Sequence, residues 1–315
     1  MNKVIKFYQY RKIFFAISIC LMLIGVAAIF LNGLQLDIQF RGGSILKYTY
    51  TGTVDAEQAG QLVGEELSRV TNAQTQTNLA QTEQKLIVSL PSNEALTSQE
   101  QESVTAALTK AFPDVQFTLS ESLTVEPFIG RRFFTNGMIA IALSFLLILV
   151  YVGVRFRKIG GLSAGAMAIV ALLHDALIVT AVFIIFKIPI SDSFIAAILT
   201  IIGFSINDTI VIYDRIRENE RLLGNKVPVD ELVNLSITQS MSRSINTNLA
   251  VFVSITVVYI FAQMYDISSI RAFALPMMFG IVSGCYSTIC IAGPLWTMWQ
   301  EHKKKTKKAL RASRA

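Results

Sequence analysis

Three ionisable side chains lie inside stretches that are otherwise apolar enough to cross a membrane. His174 and Asp175 are adjacent in one stretch, and Asp208 lies in the next. A titratable group in hydrocarbon is costly to bury, so such residues commonly transfer protons or ions, or pair with an opposite charge. A carboxyl group in this setting can take up and release a proton, and that is the chemistry that these residues predict.

The two carboxylates are predicted to lie at similar depth. The short connection 187–193 makes their stretches antiparallel neighbours. At 1.5 Å per helical residue, Asp175 lies about 18 Å and Asp208 about 21 Å below that connection. The alternative is structural, because a buried carboxylate can simply hold helices together by hydrogen bonds. For Asp175 the two interpretations have equal weight, and a lone histidine such as His174 is more often a packed polar group.

Arg243 is a candidate partner for Asp208. It stands where the fifth apolar stretch begins, and Asp208 lies about 7.5 Å from the same end of its own stretch. A guanidinium group that approaches a desolvated carboxyl group changes how tightly that group holds its proton. Movement of Arg243 relative to Asp208 would therefore couple proton passage to conformation. Taken alone, Arg243 would be an ordinary interfacial anchor.

The elements that must position these residues are membrane spans. Hydrophobic residues make up 52% of the 315 positions and charged residues only 16%, whereas soluble domains carry about 25% charged residues. A spanning helix needs about 20 mainly apolar residues. The sequence predicts an α-helical membrane protein with six transmembrane helices, at 13–31, 135–154, 160–186, 194–213, 245–263 and 272–299.

Residues 32–134 form a separate polar region rich in Thr, Gln, Glu and Asn. Alternating strand and helix patterns of this kind predict a small α+β domain with its own modest core. The pattern predicts extended chain at 36–50, a helix at 58–70, a strand at 86–90, a helix at 94–111 with Thr97 or Ser98 as N-cap, and a strand at 115–125.

Basic residues predict the orientation of the chain. They cluster in the N-terminal segment 1–12, the 155–159 connection, the 214–244 loop and the 300–315 tail, whereas the two short connections on the opposite side carry only Lys187 and Arg271. Lys and Arg are enriched in cytoplasmic loops. Both termini are therefore predicted to be cytoplasmic and residues 32–134 extracytoplasmic. The clusters adjoin apolar runs, which favours contact with anionic membrane lipid and gives no nucleic-acid site.

Catalytic and cofactor motifs are missing from the sequence. It contains no HExxH or P-loop pattern. The cysteines, Cys20, Cys285 and Cys290, all lie in apolar stretches, so they cannot staple the polar region with disulfides. One intramembrane histidine cannot build a zinc or haem site. The sequence therefore predicts no enzyme, no cofactor and no metal.

Four motifs resemble those of the SecD/SecF family of bacterial protein-export membrane proteins. The longest is 203–219 (GFSINDTIVIYDRIREN) in the fourth stretch. The others are 37–44 (DIQFRGGS), His174 with Asp175, and Ser242 with Arg243 followed by Asn246 and Thr247. The resemblance covers nearly the whole chain, although Arg41 and Ser44 are variants of the family's FKGGT-like turn.

The resemblance implies a fold, a role and partners. SecF-like members form a six-helix half of the RND type with a ferredoxin-like extracytoplasmic domain after the first span, and they pair with a SecD-like subunit. The complex works with the SecYEG channel in the bacterial inner membrane, and indirectly with SecA and the preprotein. It uses the proton motive force to assist preprotein translocation. Asp208 and Arg243 match positions implicated in proton conduction, and Asp175 carries less weight.

Gly42 and Gly43 are candidates for a turn or hinge. Glycine adopts positive φ without penalty, so this pair lets the chain pass from the first span directly into a strand. A strand joined in this way to the first span would transmit movement of that span into the outer domain. The alternative is a plain tight turn.

Two other functions remain open from the residues. The chain could be half of a proton-driven small-molecule transporter, or a membrane scaffold whose buried charges are only structural. A drug transporter would be expected to carry a much larger outer region than about 100 residues. A scaffold would tolerate Asp208→Asn and Arg243→Ala, whereas a proton-coupled subunit would not.

Overall fold

The computed structural model describes residues 4–69, 71–77, 84–91, 96–265 and 267–312. Its helices are α1 (Arg11–Asn32), α2 (Ile38–Arg41), α3 (Ala56–Leu67), α4 (Ser98–Ala111), α5 (Pro127–Arg155), α6 (Gly161–Ile185), α7 (Asp192–Leu223), α8 (Val229–Met264), α9 (Ser268–Ser287) and α10 (Gly293–Ala312). Its strands are β1 (Gly43–Thr51), β2 (Asn72–Thr77), β3 (Gln84–Pro91) and β4 (Gln116–Val125).

Six helical segments of the described chain are long and apolar enough to cross a membrane, which confirms the six predicted spans. They are α1, α5, α6, α7, α8, and α9 continued through a π-helical turn, Thr288–Ala292, into α10. In the most apolar 18-residue stretch of each helix, 56% of the α6 residues are buried inside the chain, whereas only 6% of the α8 residues are. The segments α6, α7 and α9–α10 therefore form the centre of the bundle, and α8 has most of its surface open to lipid or to a partner.

The helices run further than the sequence predicted. The segment 214–244, expected to be a loop, is mostly helical, because α7 continues to Leu223 and α8 begins at Val229. The charged residues that follow the apolar part of the fourth span continue the same helix. The actual break is short and lies at Gly224, which has φ +60°, and at Pro228. Glycine at positive φ and proline both interrupt helices.

The polar region folds as one antiparallel sheet in the order β2-β3-β1-β4. Along β1, Leu46 and Tyr48 are fully buried, whereas Ile45, Lys47 and Thr49 are half-buried. These side chains pack with those of β3, α3 and α4 into a core separate from that of the bundle. The alternation follows from the two-residue period of a strand that has one face covered by helices.

Several local predictions need correction. Residues 36–50 were expected to be extended throughout, but Ile38–Arg41 forms α2, because the Asp37 side chain accepts a hydrogen bond from the Gln39 amide at 2.9 Å. The sequence analysis also missed β2, whose residues are polar and lack apolar alternation. The predicted helix 58–70 ends at Leu67, and residue 70 lies outside the described residues.

The α4 N-terminus resolves the choice between the two predicted caps. Thr97 is the N-cap, and its side chain forms a capping box with Glu100. Such a box satisfies two backbone donors that the first helical turn leaves unpaired. The residues from 92 to 95, where the predicted helix began, lie outside the described residues.

The segment before β1 joins the sheet domain to the bundle. The Asp37 amide donates to the Ile190 carbonyl at 3.0 Å, and Phe40 packs on Phe134 of α5 with ring centroids 5.4 Å apart. Immediately after this anchor, Gly42 has φ +83° and Gly43 has φ +135°. The chain therefore enters β1 through backbone conformations that favour glycine.

A close backbone approach between α5 and α6 generates a testable prediction. A Cβ atom added to Gly161 would overlap the Gly153 carbonyl oxygen, whereas one added to Gly203 on α7 meets no atom within 4 Å. Gly161→Ala should therefore force the helices apart and destabilise the chain by about 1–3 kcal/mol or more. The measurement is the thermal unfolding midpoint of the full chain in detergent.

Gly203→Ala is the matched control, and it should leave the midpoint unchanged or raise it slightly. Equal midpoints for the two variants would contradict the proposed packing of α5 on α6.

Candidate functional site

Asp175 and Asp208 both lie inside the bundle, on the adjacent helices α6 and α7. Asp175 has no solvent exposure and Asp208 is 4% exposed. Ser205, which lies one helical turn before Asp208, donates a hydrogen bond from its hydroxyl to Asp175 at 2.7 Å. The two carboxylates therefore belong to one polar region, but they do not hydrogen-bond to each other.

Asp175 is held by hydroxyl groups from two neighbouring helices. Besides Ser205 of α7, Ser283 and Ser287 of α9 each donate to its carboxylate at 2.6 Å. His174 contributes a fourth contact through Nδ1 at 3.2 Å. Hydrogen bonds to an ionised carboxylate are about twice as strong as neutral ones. Asp175 is thus the common acceptor that joins α6, α7 and α9.

His174 extends the polar region towards α1. Its ring lies 6.0 Å from the Tyr286 ring, centroid to centroid. The Tyr286 hydroxyl donates to the Phe14 carbonyl at 2.6 Å and lies 3.2 Å from the Ser18 hydroxyl. Within the described residues, the buried Nε2 atom of His174 has no hydrogen-bond partner.

Asp208 contacts a different helix. Its carboxylate accepts a hydrogen bond from the side-chain amide of Asn248 on α8, and that amide also donates to the Ser244 carbonyl at 2.8 Å. The next residue, Thr209, lies 3.1 Å, hydroxyl to hydroxyl, from Thr288 in the π-helical turn. Single π-helical turns inside α-helices are frequent at functional sites.

Arg243 does not pair with Asp208 in this structure. It is exposed on α8, and among the described residues its side chain forms no ion pair or hydrogen bond. It lines a cavity of about 1170 Å³ between the final turns of α7 and the first turns of α8. Asn248, five residues further along α8, makes the contact with Asp208 that the sequence analysis expected from Arg243.

The sequence analysis also missed the ligands of the two carboxylates. Asn248, Ser283 and Ser287 were not singled out, although an Asn within an apolar stretch and two Ser residues four positions apart are detectable signals. The spacing places Ser283 and Ser287 on one helix face. Within the described residues, no group of three or more His, Cys, Asp or Glu side chains could hold a metal ion.

Comparisons with known proteins bear on this arrangement. The family model described as "Protein export membrane protein SecD/SecF, C-terminal" matches residues 103–302, which include both carboxylates and Arg243. The chain belongs to the SecD/SecF family. The match covers well over half of the chain.

Individual relatives of this SecD/SecF family member are similar over nearly all of its length. It is 35% identical over 310 residues to the protein translocase subunit SecF of Alicyclobacillus acidocaldarius, covering 96% of this chain and 94% of that one. It is 31% identical over 304 residues to the protein translocase subunit SecDF of Bacillus subtilis, covering 95% of this chain but 38% of that protein.

Solved SecDF structures share the fold. The chain matches SecDF of Thermus thermophilus, a translocon-associated membrane protein, with a TM-score of 0.79 and 29% identity over 95% of its length. It matches SecDF in a super-membrane-facing form with a TM-score of 0.68 and 30% identity over its full length. The chain spans about two fifths of each of those structures.

The hydroxyl cage around Asp175 predicts a stability effect. Asp175→Ala would leave the buried hydroxyls of Ser205 and Ser283 without their acceptor and Ser287 with only the Gly284 carbonyl at 3.3 Å, and each unsatisfied buried donor costs about 1–3 kcal/mol. The full chain in detergent should therefore lose several degrees or more in thermal unfolding midpoint. Asp175→Asn keeps one acceptor oxygen and should be affected less.

The control is Asp114→Ala in the exposed turn before β4, which should leave the midpoint unchanged. An Asp175→Ala variant as stable as the wild type would show that the hydroxyl cage does not hold the bundle together.

Proposed function

We propose that this chain is the SecF-like subunit of a SecDF-type complex in the bacterial inner membrane, and that it assists preprotein translocation through SecYEG, with SecA acting on the cytoplasmic side. In this proposal the proton motive force supplies the energy. The observation that carries it is Asp208, a buried carboxylate between α7 and α8 within the segment that matches the family.

Asp208 can serve as the group that binds and releases the proton. The Asn248 amide donates to one carboxylate oxygen, Oδ2, and so fixes the side chain. The proton would bind at the other oxygen, Oδ1. Three serine hydroxyls donate to Asp175, so that residue is suited to holding the helices in place. Among the described side chains, Asp208 accepts a hydrogen bond from Asn248 alone.

Arg243 supplies the coupling. It lies about 7.5 Å before Asn248 along α8 and faces the cavity between α7 and α8. A shift of α8 that releases the Asn248 amide from Asp208 would change the distance from Asp208 to Arg243. A guanidinium that comes close favours the ionised carboxylate and so expels the proton. Proton release would in this way be linked to movement of one helix.

A SecD-like partner would complete the membrane half. Asn207 on α7 and Asn246 on α8 are exposed although both lie in membrane-capable helices. Polar side chains in hydrocarbon favour association with another helix. These residues support a surface along α7 and α8 that binds the SecD-like subunit. A carboxylate of that subunit could then complete the proton path.

The orientation follows from the basic clusters and from the position of the chain ends. The Tyr8 hydroxyl donates to Glu301 at 2.8 Å, so the N-terminal segment and α10 meet at one end of the bundle. Burial and the neighbouring Glu301 raise the pKa of Tyr8 to about 12, which keeps this donor protonated at neutral pH. We assign this end to the cytoplasm on the positive-inside rule.

The sheet domain would lie on the opposite, extracytoplasmic side. Its chain order β1-α3-β2-β3-α4-β4 and strand order β2-β3-β1-β4 support a ferredoxin-like fold. The anchor at Asp37 and Phe40 followed by Gly42 and Gly43 would let this domain turn about the glycine pair while its base stays attached to the bundle.

The test is proton-gradient-dependent release of a preprotein from membrane vesicles that contain the SecD-like partner. Asp208→Asn removes the titratable group but keeps the shape and the Asn248 contact, so gradient-dependent release should fall at least about tenfold. Arg243→Ala should give a similar loss.

Glu231→Gln, an exposed acid at the start of α8, is the control and should behave as the wild type. Normal gradient dependence in Asp208→Asn would refute proton transfer and favour the scaffold alternative. Gradient-dependent export of a small molecule with no effect on preprotein would favour the transporter alternative.

A further inference from the structure

The cavity between α7 and α8 carries an excess of positive charge. It lies at the end of the bundle where Tyr8 of the N-terminal segment meets α10, and Lys158, Arg221 and Arg243 are among its lining residues. Lys158 belongs to the turn that follows α5, whereas the other two lie on α7 and α8. Three separate elements therefore direct basic side chains into one space of about 1170 Å³.

Most acidic side chains of this cavity are already neutralised. Asp214 is shared by Arg155 at 3.2 Å and Arg217 at 2.8 Å. Glu218 pairs with Arg215 at 2.6 Å. Within the described residues these pairs leave Lys158, Arg221 and Arg243 without an ion-pair partner, against the single carboxylate of Glu220. The cavity thus has a net capacity for an anion.

The cavity lies where the apolar part of α7 gives way to its charged part. Val211, in the last apolar turns of α7, lines its inner part, and Arg221 lies about 15 Å further along the same helix. On α5, Tyr151 and Val154 are half exposed within two turns of Lys158. Exposed apolar side chains therefore lie on the segment that leads into Lys158, where an acyl chain could pack beside a bound phosphate group.

We propose that this cavity binds the phosphate of an anionic phospholipid headgroup. Basic pockets between transmembrane helices on the cytoplasmic side bind phosphate-bearing lipid headgroups, and Arg presents several donors to phosphate oxygens. Lys158 and Arg221 would contact the phosphate from opposite walls, with Arg243 contributing from α8. This assignment depends only on the charge and position of the cavity, not on proton transfer by Asp208.

The favoured source is a lipid because the basic side chains meet beside the apolar part of α7, where Val211 lines the cavity. A free phosphate ion would need only the basic side chains. An acidic segment of a partner protein would not need the neighbouring apolar part of α7. The three occupants give different results in a ligand titration of purified protein.

The experiment uses the full chain in detergent micelles, both alone and in complex with its SecD-like partner. The thermal unfolding midpoint is followed while phosphatidylglycerol is added, with phosphatidylcholine and inorganic phosphate in parallel series. The cavity variant is Lys158→Gln with Arg221→Gln. Both residues are exposed, so the variant is expected to fold. The matched control, Lys303→Gln with Lys305→Gln, removes two charges from the exposed part of α10.

Phosphatidylglycerol should raise the midpoint of the wild type and of the α10 control alike. The cavity variant should need about 100-fold more lipid for the same shift, since each lost hydrogen bond to a charged phosphate contributes at least about a factor of ten. Phosphatidylcholine should have little effect.

Three results would overturn the proposal. Equal loss in the cavity variant and the α10 control would show only diffuse attraction to the membrane surface. An equal effect of inorganic phosphate would assign the cavity to a free anion. A response of the isolated chain that disappears in the complex would show that the partner subunit fills the cavity.

Discussion

The arrangement of the bundle depends on one buried carboxylate, Asp175. A buried carboxyl group needs hydrogen-bond partners, and here three serine hydroxyls from α7 and α9 supply them at 2.6 to 2.7 Å. Because the donors come from two other helices, α6, α7 and α9 are fixed in register relative to one another. Ser205 is one of these donors, so the same contact sets the position of α7 one turn from Asp208.

Asp208 lies where this fixed centre meets a less enclosed helix. On its far side it contacts Asn248 of α8, a helix that buries only 6% of its most apolar window within the chain. Movement of the apolar part of α8 beyond Ser244 would disturb few buried side chains, whereas movement of α6, α7 or α9 would break the hydroxyl cage. Asp175 is therefore suited to holding α6, α7 and α9 in fixed positions, and Asp208 to a contact that changes when α8 moves.

The sequence predicted the spans and both carboxylates because their signals are local. An ionisable residue in an apolar run stands out, and so does a run of 20 apolar residues. The lengths of α7 and α8 were underestimated, since charged residues mark the end of the hydrocarbon layer but not the end of a helix. The polar strand β2 has no alternation to detect.

The contacts of the site could not be derived from spacing alone. Whether Asn248 or Arg243 meets Asp208 depends on the rotation and shift of α8 against α7, and the apolar pattern of α8 does not fix either. The contacts of Ser283 and Ser287 with Asp175 likewise depend on how α9 packs on α6. The Gly42–Gly43 pair was detectable because two successive glycines imply positive φ, but the short helix before it depends on the cap that Asp37 provides.

The most direct test of the account is whether Asp208 titrates inside the assembled complex. Infrared difference spectra of the complex in lipid, recorded across a pH titration, resolve the carbonyl stretch of a protonated carboxylic acid. The account predicts a pH-dependent band in the wild type that is missing in Asp208→Asn and unchanged in the surface variant Glu231→Gln. A spectrum of Asp208→Asn identical to that of the wild type at every pH would contradict it.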